Sequence, residues 1–472
     1  MWRRIWEWFD DLTGTSKWMI PLLRHPVPHA RKSAWFYVLG SATLVVFILQ
    51  IVTGIALSSS YVASSGAAYQ TLLFISSTTL GRIVRGMHYF GASAMVILIG
   101  LHAIRVYLMG SYKYPRQVNW LTGAVLLLLT LLMAFTGQLL RWDQTGFWTA
   151  VVAGEQAGRT PLIGNWLGRF ILAGDTVGGA TLSRFFAAHV FFIPALIFAF
   201  LGFHLYLVIH NGISEPPKAG RPVEPKTYRR WYEDLLGREG RPFWPDAAWR
   251  DVVFGFLVIV TIVSLAVIVG PEPLGKPPDP TIIGASPKPD WFLLWYYALL
   301  SLVPRWSENP LILLGPLFFG LLLIFLPFVA RKGERSPLRR PWSMLIVATI
   351  VIVIAYFGNV GRLAPWSPRF EAQPLPVAIV GESSGPVANG ATVFYEKGCE
   401  YCHKIAGNGG IRGPDLTYVG DRMNAEQIKT RIFSGATNMP SYNGNITDQQ
   451  LASLLAFLGS RQHRQIQERA SR

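Results

Sequence analysis

The chain has 472 residues, of which 51% are hydrophobic and 15% charged. This composition is typical of an integral membrane protein with some water-exposed mass, and the length is too great for one domain. The net charge is +16, but the basic residues cluster beside apolar segments, so membrane topology explains them better than nucleic-acid binding does. Both cysteines lie in one short motif, which leaves no thiol for a structural disulfide or an iron–sulfur cluster.

Seven apolar segments are long enough to cross a bilayer, which takes about 20 residues of helix. They fall roughly at residues 34–57, 86–109, 120–140, 186–209, 250–269, 310–330 and 341–358. A shorter apolar stretch, PKPDWFLLWYYALL, lies within residues 271–309 and predicts a helix that runs along the membrane. Residues 387–472 are polar and Gly-rich, with helical patterns at 389–397, 424–434 and 447–459. They predict a small helical domain outside the membrane.

Lys and Arg are concentrated in alternate connecting segments. They are frequent at residues 1–33, 110–119, 211–249 and 331–340 and sparse in the segments between these. The positive-inside rule therefore predicts that the N-terminus is cytoplasmic. Seven crossings then place the C-terminal domain on the outer, periplasmic side.

The second and fourth apolar segments carry two histidines each. His88 and His102 are 14 residues apart, and His189 and His204 are 15 apart. Each pair therefore falls near one helix face, with its members about 21 Å apart along the axis. A single histidine in a membrane helix often only forms a hydrogen bond with a neighbouring helix. Two pairs with matching spacing are harder to explain in this way, because burying polar groups in lipid costs free energy. They favour two haems, each held by one histidine from each helix.

Glycines in the first and third segments repeat the same interval. Gly40 and Gly54 are 14 residues apart, and so are Gly123 and Gly137. Because glycine has no side chain, a planar macrocycle can approach the helix backbone at these positions. Packing of small residues between helices is the alternative interpretation, but it does not account for the equal separations. The four segments together predict a haem-binding four-helix bundle.

The C-terminal domain contains the motif Cys399-Glu400-Tyr401-Cys402-His403. The pattern C-x-x-C-H is typical of covalent haem c attachment, in which the two thiols bond the haem and His403 binds the iron. A redox dithiol and half of a zinc site are the alternatives. A zinc site needs two further ligands, and only His463 remains nearby in the sequence.

A sixth ligand to the haem c iron is expected downstream of this motif. Met439, in GATNMPSYNG, fits the His/Met pattern of cytochromes c, and Met423 is the competing candidate. Covalent haem c is attached outside the cytoplasm, which agrees with the topology that the charges predict.

These motifs resemble those of the cytochrome bc complex family, the quinol:cytochrome c reductases. Residues 1–215 look like the four-helix part of cytochrome b, and residues 216–360 look like its three-helix C-terminal part, a separate subunit in the photosynthetic b–f branch. After a linker at 361–386, residues 387–472 resemble a class I cytochrome c. The 15-residue histidine interval and the stretches LHAIRVYLMGSYKYPRQ, LRWDQTGFW and HNGIS are also similar to the b–f branch. The implied fold is all-α.

The resemblance implies which histidines belong together. His88 and His189 would hold an outer, low-potential haem b, and His102 and His204 an inner, higher-potential one. Val38 stands where the b–f branch carries a cysteine for an extra haem c at the inner quinone site, so that haem is expected to be absent.

Four further residues are candidates for cofactor or quinone contacts. Arg85, Arg105 and Arg116 are candidate partners of haem propionates or of the inner quinone site, although simple anchoring at the membrane interface would also explain them. His210, just beyond the fourth segment, is a candidate quinone contact or a headgroup-level histidine.

The segment Pro289-Asp290-Trp291-Phe292 resembles the family's quinol-oxidation motif, which is usually Pro-Glu-Trp-Tyr. A carboxylate at such a site can accept a proton from quinol. Asp290 is one methylene shorter than the usual glutamate, and Phe292 lacks the hydroxyl group. Asp290 could also serve as the N-cap of the lateral helix, and the two roles are compatible.

The resemblance implies a Q-cycle subunit of a bacterial cytoplasmic membrane, with two haem b, one covalent haem c and quinol or quinone as substrate. Its implied partners are a separate Rieske iron–sulfur protein, an acceptor cytochrome c or terminal oxidase, membrane lipid and a second copy of the chain. Two rivals are a di-haem anchor between a dehydrogenase and quinone, and a transporter with a sensor haem whose intramembrane histidines relay protons.

Overall fold

The computed structural model describes residues 1–29, 31–174, 177–278, 288–363, 373–409, 413–435, 439, 441–464 and 466. Residues 279–287, which precede the Asp290 segment, and residues 364–372 of the expected linker lie outside this set. The described part of the chain is mostly helical. Seven of its helices are long and apolar enough to cross a membrane, which confirms the expected number of spans. They cover Ala34–Ser58, Thr79–Leu108, Gln117–Leu139, Gly179–Asn211, Phe243–Ile268, Trp306–Val329 and Pro341–Leu363.

The α-helices among the described residues are numbered in chain order. They are α1 Trp2–Thr13, α2 Thr15–Leu23, α3 Leu39–Ser58, α4 Ala68–Ser77, α5 Thr79–Leu108, α6 Gln117–Leu139, α7 Gln144–Gly158, α8 Gly164–Leu172, α9 Gly179–Ala187, α10 Ile193–Asn211, α11 Tyr228–Glu239, α12 Ala248–Ile268, α13 Leu294–Leu302, α14 Arg305–Val329, α15 Pro341–Leu363, α16 Val377–Val380, α17 Pro386–Glu396, α18 Val419–Arg422, α19 Ala425–Ser434 and α20 Asp448–Gly459. Two antiparallel pairs of short strands complete the fold: β1 Pro26–Val27 with β2 Arg241–Pro242, and β3 Lys404–Ile405 with β4 Asn408–Gly409.

Helix α5 begins at Thr79, well before the apolar segment that starts near residue 86. The side chain of Thr78 explains this start, because its hydroxyl accepts a hydrogen bond from the Gly81 backbone N–H at 3.1 Å. Such a cap satisfies one of the N–H groups that a helix leaves unpaired in its first turn. Hydrophobicity alone therefore underestimates the length of this helix.

The four-helix bundle is built from two tightly packed pairs, α3 with α5 and α6 with α10. Its buried core includes Val46 of α3, Leu98 of α5, Leu126 of α6 and Ile197 of α10. Helix α12 packs against α3 and α5 and adds Ile262 to the same core. Among the described residues, the C-terminal membrane helices are therefore in contact with the four-helix bundle through α12.

A π-helical turn, Ala188–Phe192, joins α9 to α10 inside the fourth span. Its defining bond runs from the Ile193 N–H to the Ala188 carbonyl, five residues back. Pro194 follows and has no N–H, so the α-helical bond to the Val190 carbonyl cannot form there. The turn takes up one extra residue. This residue accounts for the interval of 15 between His189 and His204, where α5 has 14 between its own pair.

The C-terminal domain is organised by the crossing of α17 and α20. Phe394 and Phe457 meet edge to face in its core, with ring centroids 5.7 Å apart. A Cβ atom built on Gly390 would lie 2.0 Å from the Ser453 carbonyl oxygen, so the two helices can approach this closely only at a glycine. The helices expected at 389–397, 424–434 and 447–459 are confirmed as α17, α19 and α20, with ends shifted by a few residues.

We expect Gly390→Val to separate α17 from α20 and to destabilise the C-terminal domain by about 3 kcal/mol, the upper part of the range for overpacking. Thermal unfolding of the purified full chain, followed through the c-type absorption band, measures the effect. Gly459→Ala is the matched control, because no described atom lies within 4 Å of a Cβ at that position. Equal unfolding temperatures for the two variants would contradict the packing argument.

Candidate functional site

Each of the four bundle histidines lies against a glycine of the neighbouring helix. A Cβ atom built on the glycine would lie close to the imidazole Cε1 atom, at 3.2 Å for Gly40 and His102, 3.4 Å for Gly54 and His88, 3.5 Å for Gly123 and His204, and 2.7 Å for Gly137 and His189. Distances below 3.4 Å are tighter than ordinary van der Waals contact. The equal spacings of glycines and histidines therefore correspond to four direct contacts between helices.

Threonine hydroxyl groups contact three of these four imidazoles, and each threonine directly precedes its glycine. The distances from Oγ1 to Nδ1 are 2.9 Å for Thr53 and His88, 3.1 Å for Thr136 and His189, and 2.8 Å for Thr122 and His204. The sequence reasoning missed these residues. The available signal was the dipeptide Thr-Gly, which occurs at three of the four glycine positions.

The rings of His88 and His189 face each other across the bundle. Their centroids are 6.3 Å apart and their planes are inclined at 76°. An imidazole nitrogen binds a transition metal at about 2 Å, so two rings on opposite sides of one metal atom have centroids about 6 Å apart. The adjacent glycines leave their helix faces free of side chains. These residues fit a haem with two axial imidazoles.

His102 and His204 line a cavity of about 620 Å³ together with Gly40 and Gly123. Arg105 lies in its wall, with its guanidinium carbon 3.8 Å from the centre of the Tyr37 ring. The Arg105 Nε and Nη2 atoms are buried and have no hydrogen-bond partner among the residues that the structure describes. Buried donors of this kind are costly unless an acceptor meets them. An anionic or carbonyl oxygen of a bound group would satisfy them, which fits a haem propionate or a quinone.

Arg85 and Arg116 already have protein partners. Arg85 donates to the Glu272 carbonyl at 2.7 Å. Arg116 donates to the Gly212 carbonyl at 2.9 Å and to the Tyr228 hydroxyl at 2.8 Å, and so ties the end of α10 to α11. Of the three candidate arginines, Arg105 is therefore the one whose unmet hydrogen bonds best suit a bound group.

The other two residues considered for the inner site have contrasting positions. Val38 is 3% exposed and lines the cavity beside His102. His210 is exposed, and its ring stacks on Tyr206 with centroids 5.8 Å apart. The structure thus brings Val38, but not His210, into the set of described cavity residues.

Asp251 is a polar cavity residue that sequence reasoning missed. It lies in the first turn of α12, lines the same cavity as Arg105, and its carboxylate accepts a hydrogen bond from the Ser41 hydroxyl of α3. The contact joins residues 210 positions apart, so no local pattern could reveal it. The available signal was a carboxylate at the start of an otherwise apolar segment, which is rare without a functional reason.

Asp290 lies at the N-cap of a short 3₁₀ turn, Trp291–Leu293, but its side chain makes no capping hydrogen bond. Burial raises the pKa of this half-buried carboxyl to about 6, with Arg141 lowering the value and Glu272 raising it. The Trp291 indole N–H donates to the Ser93 hydroxyl of α5 at 3.2 Å. The carboxyl therefore sits at the end of the bundle that holds His88, with a proton affinity suited to a base.

In the C-terminal domain, the His403 ring is fixed by one hydrogen bond. Its Nδ1 lies 2.9 Å from the Pro414 carbonyl oxygen, which can only accept, so Nδ1 carries the proton and Nε2 is left to bind a metal. A Cβ on Gly413 would lie 2.5 Å from the same ring. Burial raises the pKa of the Cys399 thiol to about 12, whereas a redox dithiol needs a lowered value.

The two methionine candidates for a sixth ligand both lie against the core of this domain. Met439 and Met423 are partly buried and pack against the cluster that contains Phe394 and Phe457. The His/Met argument from the sequence continues to favour Met439.

Comparison with known families agrees with this arrangement. Residues 93–277 match the family model described as cytochrome b(N-terminal)/b6/petB, and residues 277–375 match cytochrome b(C-terminal)/b6/petD. Residues 385–458 match the family described as cytochrome c oxidase, cbb3-type, subunit III.

Curated relatives include the menaquinol:cytochrome c reductase cytochrome b subunit of Bacillus subtilis, which is 36% identical over 46% of this chain and 100% of its own length. The cytochrome b6 of Heliobacterium mobile is 37% identical over 44% of this chain and 99% of its own length. The chain belongs to the cytochrome b/b6 family. The resemblance inferred from the motifs is confirmed, including the fused cytochrome c domain.

A solved structure described as a hyperthermophilic respiratory Complex III has a similar fold. The TM-score is 0.64, with 24% sequence identity, and the match covers 77% of this chain and 92% of the other.

We expect Gly137→Val to lower the haem b content of the protein. A Cβ there would lie 2.7 Å from the His189 ring, so the ring must leave its present position opposite His88. The pyridine haemochrome spectrum of purified protein gives the count. The matched control is Gly202→Ala in α10, where no described atom lies within 4 Å of the new carbon. Retention of the full haem b content in the Gly137 variant would show that this contact does not shape the site.

Proposed function

We propose that this chain is the cytochrome b subunit, with a fused cytochrome c domain, of a bc-type quinol:cytochrome c oxidoreductase. The observation that carries the proposal is the set of four glycine-backed imidazoles in one bundle, of which His88 and His189 face each other and His102 and His204 line one cavity. The printed name of the Bacillus subtilis relative, a menaquinol:cytochrome c reductase subunit, supports the same activity.

Two haem b and one haem c are the proposed cofactors, and they supply reversible one-electron transfer. His88 and His189 would hold the outer haem b, and His102 and His204 would hold the inner one. Cys399 and Cys402 would attach the haem c, and His403 and Met439 would bind its iron. Because Val38 offers no thiol beside the inner cavity, no extra covalent haem c is proposed there.

Quinol is oxidised beside the segment Pro289-Asp290-Trp291-Phe292. The carboxylate of Asp290 accepts one of the two quinol protons, which its raised pKa of about 6 supports. Arg141 pairs with the exposed side chain of Glu272, which offers a polar route from this site to solvent. Trp291, held by Ser93, fixes the position of the segment against α5.

The two electrons leave by different routes. One would pass to a separate Rieske iron–sulfur protein and then to the fused cytochrome c domain, and the other would cross the bundle to a quinone at the inner cavity. Arg105 offers unpaired donors to the quinone or to a propionate there, and Asp251 is placed to supply a proton. Arg85, Arg116 and His210 remain candidates of lesser support, since the first two already have protein partners.

The proposed location is a bacterial cytoplasmic membrane, with the N-terminus in the cytoplasm and the cytochrome c domain on the periplasmic side. The distribution of Lys and Arg among the connecting segments supports this orientation. The proposed partners are the Rieske protein, an acceptor cytochrome c or terminal oxidase, surrounding lipid and a second copy of the chain.

The haem content of the purified protein tests the proposal against its rivals. Two haem b and one haem c per chain are expected, together with quinol-dependent cytochrome c reduction. His102→Ala or His204→Ala should lose b-type absorption, whereas His210→Ala in the same helix as His204 should keep it. Absence of haem b would favour a transporter with a sensor haem. Haem b without cytochrome c reductase activity would favour a membrane anchor.

We expect quinol oxidation to fall as the pH decreases through about 6, because Asp290 must be ionised to accept a proton. Asp290→Asn should lower turnover by about 100-fold, the lower limit for a general base, and remove this dependence. Asp290→Glu, which keeps the carboxyl, should retain most of the activity. Unchanged turnover in the asparagine variant would take Asp290 out of the proton path.

A further inference from the structure

The hydroxyl groups of Thr53, Thr122 and Thr136 each have two kinds of neighbour. One is the Nδ1 atom of a histidine on the adjacent helix, at 2.8–3.1 Å. The other is a pair of backbone carbonyls one turn back in the threonine's own helix, three and four residues before it. The distances to the carbonyl four residues back are 2.7 Å from Thr53 to Leu49, 3.1 Å from Thr122 to Val118 and 2.9 Å from Thr136 to Leu132, and those to the carbonyl three residues back are 3.0–3.2 Å.

This double contact decides the direction of each hydrogen bond. A hydroxyl group has one proton to donate, and a backbone carbonyl can only accept. The threonine proton is therefore used within its own helix, and a lone pair of Oγ1 faces the imidazole. Nδ1 must then be the donor, so Nε2 is unprotonated and free to bind iron in His88, His189 and His204.

The fourth histidine lacks such a partner. The residue before Gly40 is Leu39, so the helix face next to His102 carries no hydroxyl at the equivalent position. Within the described part of the chain no hydrogen bond reaches the His102 ring. The His88/His189 pair thus has two hydrogen-bonded imidazoles, and the His102/His204 pair has one.

A hydrogen bond from Nδ1 to an acceptor makes the imidazole a more basic, more electron-donating ligand. Stronger donation stabilises ferric iron relative to ferrous iron and lowers the reduction potential, which is one of the protein's means of tuning a haem. The pair with two such bonds therefore has the lower potential. Arg105, a cation in the wall of the other site, acts in the same direction by stabilising the reduced form there.

We propose that Thr53, Thr122 and Thr136 are positioning residues that fix the ligating tautomer of their histidines and, by their unequal distribution, set the order of the two b-haem potentials. The order makes electron transfer favourable from the Asp290 end of the bundle towards the Arg105 end. This inference rests on the proposed function, because it takes the histidines as haem ligands.

Redox titration of the b-type bands in the purified complex tests the inference with threonine-to-valine variants, which keep the shape and remove the hydroxyl. Thr53→Val and Thr136→Val should raise the midpoint potential of the lower-potential haem alone, and Thr122→Val that of the other haem alone. If ferric affinity falls about tenfold relative to ferrous affinity, the shift is about 59 mV for a one-electron couple.

Thr261→Val is the control. Thr261 lies in α12, outside the set of described cavity residues, and donates to the Leu257 carbonyl at 2.8 Å, as the other threonines do in their helices, but no histidine contact is found for it among the described residues. Both potentials should stay at their wild-type values in this variant.

Threonine-to-serine variants separate the hydroxyl group from the packing of the methyl group. Wild-type potentials in the Thr136→Ser protein, with a shift or loss of haem in Thr136→Val, support the proposal. Equal behaviour of the serine and valine variants, or unmoved potentials in protein that retains two haem b, would overturn it. Absence of haem b from the wild-type protein would instead refute the proposed function, so the two failures are distinguishable.

Discussion

The contact between a glycine of one helix and an imidazole of its neighbour is the constraint on which the bundle depends. It occurs four times. At Gly137 and His189 the approach is too close for any residue that carries a Cβ atom. Each contact joins α3 to α5, or α6 to the fourth span, which consists of α9, the π turn and α10. The four contacts therefore lie between the tightly packed helix pairs and position the imidazoles within the bundle. The contacts that bring the helices together therefore also set the positions of the four imidazoles.

The two ends of the bundle differ in their chemistry. Near His88 the polar groups are a half-buried carboxyl, Asp290, and an ion pair between Arg141 and Glu272. Near His102 the main feature is the guanidinium of Arg105, with hydrogen-bond donors left unpaired in the described residues. Release of a proton from quinol requires a base, and binding of a quinone oxygen requires hydrogen-bond donors. The two ends of the bundle offer these groups separately.

The residues that could be predicted from the sequence are those whose pattern lies within a single helix or a short motif. The intervals between histidines and between glycines follow from the helical repeat, and C-x-x-C-H is a local motif, so His88, His189 and His403 could all be singled out as candidates from the sequence. Asp251 and the threonine contacts could not, because they depend on which helices become neighbours. The bond between Ser41 and Asp251 connects α3 to α12, a pairing that hydrophobic periodicity does not encode.

The π turn at Ala188–Phe192 has a consequence for how this helix tolerates changes in length. The alignment of His189 with His204 depends on the number of helical turns between them. The π turn accommodates the extra residue, and neither side chain is rotated out of the bundle. Deletion of one residue in this turn would convert it to an ordinary α-helical turn, and both imidazoles would still point into the bundle. Deletion of one residue between these two histidines is thus structurally near neutral, whereas an inserted residue would rotate one of the two side chains away from the other by about 100°.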